Sequence, residues 1–373
     1  MELTEKDYAY WLFNVPDIGN RSVDKLLSGG ISCKDVYDMP AKELSKYLTA
    51  RRINNIQQAK ATWDFEKEAQ KLKAKGIRFI SRIEPEFPEK LKNIPNAPFA
   101  IYVKGKLPDP KVPTVAIIGA RMCSEYGRYM ARYFGQGLAM SGIQIVSGLA
   151  RGVDSIAQQA ALEAGGQSFS VLGCGVDICY PPENQPIYDS CLSSGGIISE
   201  YPPGLEPIAK NFPVRNRIIS ALSDVVLVVE ARQKSGTQIT VDTALEQGKE
   251  VMAVPGRVTD RLSDGCNYII SQGASVAGTV EDVLNRIWNK EVFAPAASKD
   301  DIKDDEMEEV KEMKVEDIIR EIVDIIPVST SHISEELGRR GIDMSIPKLI
   351  GVLMDMTSRG EILQNGAYYR RVA

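Results

Sequence analysis

Short, uniformly apolar runs alternate with amphipathic stretches through the middle of the chain. The runs are Arg78–Ile80, Val115–Ile118, Gln144–Val146, Ser168–Leu172, Gly196–Ser199, Val225–Val229 and Val251–Val254. Between them, Tyr126–Met140, Ser155–Glu163 and Thr237–Gln247 carry apolar residues at helical spacing. Strands that are apolar on both faces and separated by helices predict a mostly parallel sheet covered on both sides. The pattern therefore predicts an α/β fold, a Rossmann-like doubly wound domain over residues 71–292.

The flanks read differently. Residues 1–70 show helical patterns such as Tyr8–Phe13 and Ser22–Leu27, interrupted by Val15-Pro16-Asp17-Ile18-Gly19. That turn is similar to a helix-hairpin-helix unit, whose backbone N–H groups can face a phosphate; a small helical packing module is the preferred reading. Residues 293–313 open with FAPAA and continue as a charged linker with too few apolar residues to fold alone. Beyond residue 314, Ile318, Ile319, Ile322, Val323 and Ile326 mark one helix face, and Ser331–Leu337 and Ile346–Met356 suggest two more helices. Residues 360–369 read as a hairpin around Asn365-Gly366. Three helices and a hairpin predict a winged-helix domain over 314–373.

Composition narrows the function. A chain of 373 residues, 43% of them hydrophobic, can bury a large core divided among two or three domains. The formal net charge of −5 argues against a protein that coats nucleic acid with its whole surface. Lys299–Asp317, KDDIKDDEMEEVKEMKVED, carries more than that excess, which leaves the remainder close to neutral and free to carry a basic groove. The N-terminus lacks the basic start and apolar stretch of a signal peptide, and no run of about 18 apolar residues occurs, so neither export nor a membrane span is expected. Six scattered cysteines without a CxxC, and a single His332, supply no local zinc site; reduced thiols in a cytoplasmic protein without metal or cofactor are expected.

Four segments carry chemistry, each at the end of an expected strand. In Val115–Arg121 the strand ends at Gly119, and Arg121 offers a planar fork to phosphate oxygens beside a helix N-terminus. The spacing is not GxGxxG, which disfavours a dinucleotide. Ser147–Asp154 repeats the theme with Gly148, Arg151 and Gly152, and Asp154 is expected to cap or to pair locally with Arg151 or Arg121. In Ala209–Ile219, Lys210, Phe212, Arg215, Asn216 and Arg217 precede an apolar helical stretch: the cations suit a backbone and the aromatic suits a base. The competing structural reading puts Phe212 in the core and pairs Arg217 with Glu230. In Glu230–Thr237, Ser235 and Thr237 can cap a helix, while Gly236 opens its N-terminus beside Lys234. Across 119–121, 147–152, 210–217 and 232–237 stand seven Lys/Arg and no Asp or Glu. A polymer backbone can use more of those charges than a mononucleotide.

At VAIIGAR (115–121), SGLARGVD (147–154), VLGCGVDICYPPEN (171–184), ISEYPPG (198–204), KNFPVRNRIIS (210–220), EARQKSGTQITVDTALEQGKEVMAVPG (230–256) and GCNYIISQGA (265–274), the chain resembles the DNA-processing protein A family, also called Smf. The flanks resemble that family's sterile-alpha-motif-like N-terminus and winged-helix C-terminus. The resemblance implies a homodimer that binds single-stranded DNA, loads RecA recombinase onto it and relieves inhibition by single-strand-binding protein during natural transformation. It implies a DNA pocket at Gly119, Arg121, Lys210, Phe212, Arg215 and Asn216, to which the cationic and glycine loops add Arg151, Lys234, Gly236 and Thr237. Ala120 stands where many relatives have serine.

Two rivals belong to other classes. The central domain more distantly resembles lysine-decarboxylase-like nucleotide phosphoribohydrolases, which carry a catalytic glutamate in a Pro-Gly-Gly-x-Gly-Thr-x-x-Glu loop. Here Thr240 occupies the glutamate position and Lys234 replaces a glycine, so a non-enzyme with no catalytic residue is expected. A transcription regulator acting through 314–373 needs a basic recognition helix. The stretch IPKLIGVLMDMTSR is mostly apolar, which leaves weak duplex contact through Arg339, Arg340, Arg370 and Arg371.

Overall fold

In the computed structural model, residues 2–288, 315–323, 328–340, 342, 344, 346–365 and 368–371 are described. The chain divides into two compact units, Met1–Ala294 and Pro295–Ala373.

The first unit is built on a nine-stranded sheet. Its strands are β1 (Ile77–Ser81), β2 (Ala100–Gly105), β3 (Thr114–Ile118), β4 (Gln144–Ser147), β5 (Ser168–Leu172), β6 (Gly196–Ser199), β7 (Val225–Val228), β8 (Glu250–Ala253) and β9 (Ser275–Val276). Their spatial order is β1-β2-β6-β5-β4-β3-β7-β8-β9. From β6 to β9 every pair is parallel, with Ala116 of β3 opposite Val146 of β4 and Val226 of β7. At the other edge, β2 runs antiparallel to both β1 and β6. Every residue of β3 to β7 is buried, which is why these strands read as continuous apolar runs rather than alternating ones. This is the expected Rossmann-like, mostly parallel sheet with flanking helices. The chain winds from β3 outward to β6, then crosses back to β7 on the far side of β3. The strand order reverses between β3 and β7, the kind of switch point at whose carboxyl ends open α/β sheets hold ligands.

Helices Glu5–Phe13, Asn20–Leu26, Cys33–Asp38 and Ala50–Thr62 pack through Trp11, Leu12, Val23, Leu26 and Ile56. They close one end of the sheet through aromatic rings: Tyr10 lies 4.9 Å from Phe79, and Phe13 lies 6.0 Å from Tyr102. In the Val15–Gly19 turn, Val15 and Ile18 are buried, Asp17 pairs with Arg51 at 2.8 Å, and the Pro16 carbonyl accepts the Asn55 amide at 3.0 Å.

The second unit contains helices Val315–Ile322, Thr330–Arg339 and Ile346–Ser358. Strands β10 (Val328–Ser329), β11 (Ile362–Asn365) and β12 (Tyr368–Arg371) form an antiparallel sheet in the order β10-β12-β11. Ile319, Val323, Ile333, Leu337, Leu349, Leu353 and Ile362 are its core. The helix face was expected to include Ile326, which lies outside the described residues, as do the linker 293–313, Gly366 of the expected turn and the side chains of Arg339, Arg370 and Arg371. Arg340 pairs with Glu321 at 2.6 Å. Among the described residues no helix is long and apolar enough to cross a membrane.

Candidate nucleic-acid interface

The carboxyl ends of β3, β4, β5, β7 and β8 lie on one side of the sheet, and the four expected loops sit there together. The loop after β3 is tied to β7 by main and side chains. The Ala120 N–H donates to the Glu230 carbonyl at 2.6 Å, and the Val153 N–H donates to the Ala120 carbonyl at 3.2 Å. A Cβ on Gly119 would lie 2.7 Å from Val153 Cγ2 and 2.8 Å from the Glu230 carbonyl, so its missing side chain lets three backbones converge. Glu230 itself is fully buried and accepts the Ser124 N–H at 2.8 Å and the Ser124 hydroxyl at 2.5 Å. Ser124 Oγ in turn accepts the Gly127 N–H and caps helix Glu125–Met140. These bonds hold Arg121 just beyond the carboxyl end of β3, exposed. Glu230→Ala, which strands the Ser124 donors, is expected to cost about 1–3 kcal/mol in urea unfolding.

The segment after β6 differs from expectation. Helix Asn211–Leu222 starts before Phe212, so the cationic segment is helical rather than a loop leading into a helix. Pro213 fits because first-turn N–H groups have no intrahelical partner to lose. Helical spacing then sends neighbours to different fates. Lys210, at the helix N-cap, stays exposed and Phe212 half-buried, whereas Arg215 and Arg217 turn inward.

Phe212 is half-buried. One side rests on Gly173, where a Cβ would lie 3.0 Å from Phe212 Cδ1. The Tyr180 ring centroid lies 5.5 Å away, and the Arg121 and Arg215 guanidinium carbons each lie 5.9 Å from the Phe212 centroid. Phe212 is thus neither free nor core; it is the wall of the pocket, and Arg121 reaches over it. Tyr180, 37% exposed, completes the aromatic wall. Sequence reasoning passed over it because it sits in the GCGVDICYPP stretch, which carries no cation.

Arg215 does not take the expected place on the surface. It is 4% exposed, and its guanidinium donates to the Gly148 carbonyl at 2.9 Å and to the Val171 carbonyl. Its Nε donates to Asn216 Oδ1 at 3.2 Å, so Asn216 also faces inward in part. Burial lowers the Arg215 pKa to about 10, opposed by the buried carboxylate of Asp154. Asp154 pairs with neither Arg151 nor Arg121: it accepts the Gly148 N–H at 3.1 Å, and burial raises its pKa against the pull of Arg215. Together these groups make a polar floor beneath the pocket.

The other expectations divide. Arg151 is exposed but ion-paired with Glu183, which leaves less of its charge for a ligand. Arg217 pairs with Glu200 rather than Glu230, through bonds of 2.7 and 2.8 Å. Ser235 is the N-cap residue of helix Gly236–Glu246 but makes no side-chain cap bond, because its hydroxyl is turned into a buried position without a partner. Gly236 is exposed at that helix start, with Thr237 half-buried beside it and Lys234 exposed nearby. Of the seven cations expected, Arg121, Lys210, Arg232 and Lys234 remain exposed and without a carboxylate partner among the described residues.

The fold and this face define a doubly wound α/β protein with a cationic mouth backed by aromatic rings, fit for a polyanion with flat bases. Residues 78–288 match the family described as DNA recombination-mediator protein A, and the chain belongs to that family. Its members are recombination mediators rather than enzymes. The chain is 41% identical over 205 residues to the DNA processing protein DprA of Streptococcus pneumoniae, spanning 55% of this chain and 72% of that protein. It is 34% identical over 287 residues to the protein Smf of Escherichia coli, 76% of this chain and 75% of that one. The X-ray structure of the Streptococcus pneumoniae protein superposes with a TM-score of 0.67 at 33% identity, covering 76% of this chain and 98% of its own. A structure of DNA processing protein A from Helicobacter pylori, described for its single-stranded DNA binding mode, matches at 30% identity with a TM-score of 0.51, covering 57% of this chain and 96% of its own.

Proposed function

We propose that this chain binds single-stranded DNA across the loop face centred on Arg121, Lys210 and Phe212, protects the strand and loads RecA recombinase onto it during natural transformation. The observation that carries the reading is Arg121 poised 5.9 Å over the half-buried Phe212 ring, with an exposed and unpaired Lys210 two positions before that ring in the chain. The cations hold phosphates and the ring offers a base its π-face, which a duplex keeps stacked inside itself. Gly119, Gly236 and Thr237 line the mouth with backbone N–H groups, Arg151 and Lys234 extend the positive field, and Arg215 and Asn216 support the floor. The relative described for its single-stranded DNA binding mode supports the choice of ligand.

In this reading the chain is a cytoplasmic homodimer that counteracts single-strand-binding protein. Residues 1–70 form a helical module, 71–292 the DNA-binding domain, 293–313 a linker and 314–373 a winged helix. The test is a mobility shift with a single strand, the same sequence as duplex, and AMP as competitor. Preference for the single strand, undisturbed by AMP, is expected; displacement by AMP overturns the reading in favour of a nucleotide site, and preference for duplex favours a winged-helix regulator. Phe212→Ala is expected to lose about 1–3 kcal/mol of binding with the salt dependence retained, measured by fluorescence anisotropy. Acceleration of RecA filament assembly on strands precoated with single-strand-binding protein tests the loading step.

A further inference from the structure

Residues 257–264, in the loop after β8, lie between the segments quoted from the sequence, and that loop reaches the same face. Its backbone is packed into place rather than loose. The Tyr126 hydroxyl donates to the Pro255 carbonyl at 2.8 Å, and Asn267 brackets Gly256, donating to its carbonyl at 3.0 Å and accepting its N–H at 3.2 Å. The neighbouring loop after β7 joins it through Asp264, which accepts the Gln233 N–H at 2.7 Å, and through the Gly265 N–H donated to the Ala231 carbonyl. From this platform Arg257 and Arg261 project into solvent, with neither in an ion pair among the described residues. Arg232 and Lys234 stand on the adjoining loop, equally exposed and unpaired. Two apolar groups belong to this platform: Val258, within the loop, is 89% exposed, and Tyr126, bonded to Pro255, is 39% exposed. Four cations with a ring and an apolar side chain repeat, on the β7–β8 side, the composition of the Arg121–Lys210–Phe212 group on the other side. The strand spacing of about 4.8 Å puts the two groups on the order of 10–20 Å apart across the sheet, a few nucleotides of extended chain.

We infer that Arg257 and Arg261, next to Arg232 and Lys234, form a second contact for the same single strand, one that engages DNA only when it is long enough to cross the switch point. The inference rests on the proposed single-stranded DNA binding. The phosphodiester backbone is the ligand, because four unpaired cations are the dominant chemistry of this face and apolar side chains suited to unstacked bases accompany them.

The experiment compares anisotropy titrations of labelled homothymidine oligonucleotides of about four and about sixteen nucleotides, lengths that bracket one and several contact points. The proteins are the full chain, Arg257→Ala/Arg261→Ala and Arg121→Ala. The double variant is expected to bind the short oligonucleotide like the parent and the long one roughly threefold to tenfold more weakly, with the log–log salt slope flattened by up to about 1.4. Arg121→Ala is expected to weaken both. Equal affinity of the double variant and the parent for the long oligonucleotide overturns the second contact while leaving the first intact, and equal weakening at both lengths overturns it by merging the loop into the primary pocket. If the parent binds neither length, the proposed DNA binding fails and the second contact fails with it. Both arginines are exposed and unpartnered, so an unchanged thermal midpoint is the control for folding.

Discussion

Arg121→Ala and Lys210→Ala are each expected to weaken single-stranded DNA binding about tenfold or more and to flatten the dependence of log affinity on log salt by about 0.7. Both side chains are exposed at the mouth and neither is neutralised by a carboxylate, so each can displace a counterion from a phosphate. Arg121 carries the larger effect, because its guanidinium also stands over Phe212. The Arg121→Lys variant separates the two contributions: it keeps the charge, and hence the salt slope, but loses the planar fork and regains only part of the affinity. Titrations at several salt concentrations check all three variants. A salt slope identical to the parent's in Arg121→Ala removes that residue from the DNA contact.

The second large effect is on stability. Arg217 is 6% exposed and spends its guanidinium on both oxygens of Glu200, on the Asn96 carbonyl at 2.9 Å and on the Val214 carbonyl at 2.9 Å. Glu200 also accepts the Asn20 amide at 2.7 Å, and Asn20 accepts the Phe99 N–H at 3.0 Å. The network therefore joins the N-terminal helices, the end of β6 and the helix that bears Phe212. Arg217→Ala leaves a buried carboxylate with a lone amide partner and is expected to cost about 3–5 kcal/mol in urea unfolding. Replacing both partners, as in Glu200→Gln/Arg217→Met, removes the unpaired charge and is expected to cost clearly less than the single change. A loss under about 1 kcal/mol in Arg217→Ala contradicts this account of the network.

Arg215 and Arg217 show where sequence reading stops. In the string KNFPVRNRIIS three cations look equivalent, yet only Lys210 stays at the surface. Their fates depend on the helix beginning at Asn211, on Gly148 leaving room for a guanidinium and on Glu200 arriving from a strand end seventeen positions earlier in the chain. The last two are not local. The Arg151–Glu183 pair, which joins two loops distant in sequence, was hidden for the same reason.

The fold was more legible, because burial on both faces forces β3 to β7 to be apolar throughout. The strands that escaped notice are β2, which follows β1 without a long helix between them, and β9, only two residues long. In each case the alternation of strand and helix gives no mark. Tyr180 is not legible because no cation adjoins it in sequence, and Arg257 and Arg261 are obscured by the carboxylates Asp260 and Asp264 interspersed with them.

The central claim is that exposed cations from neighbouring strand ends act together on one nucleic-acid backbone. The slope of log affinity against log salt for the unaltered protein on a single-stranded homopolymer tests it most directly. Arg121, Lys210, Arg232 and Lys234 together predict a slope of about −3, and a steeper one if the loop after β8 also engages. A slope no steeper than about −1, the signature of a single phosphate contact, contradicts it.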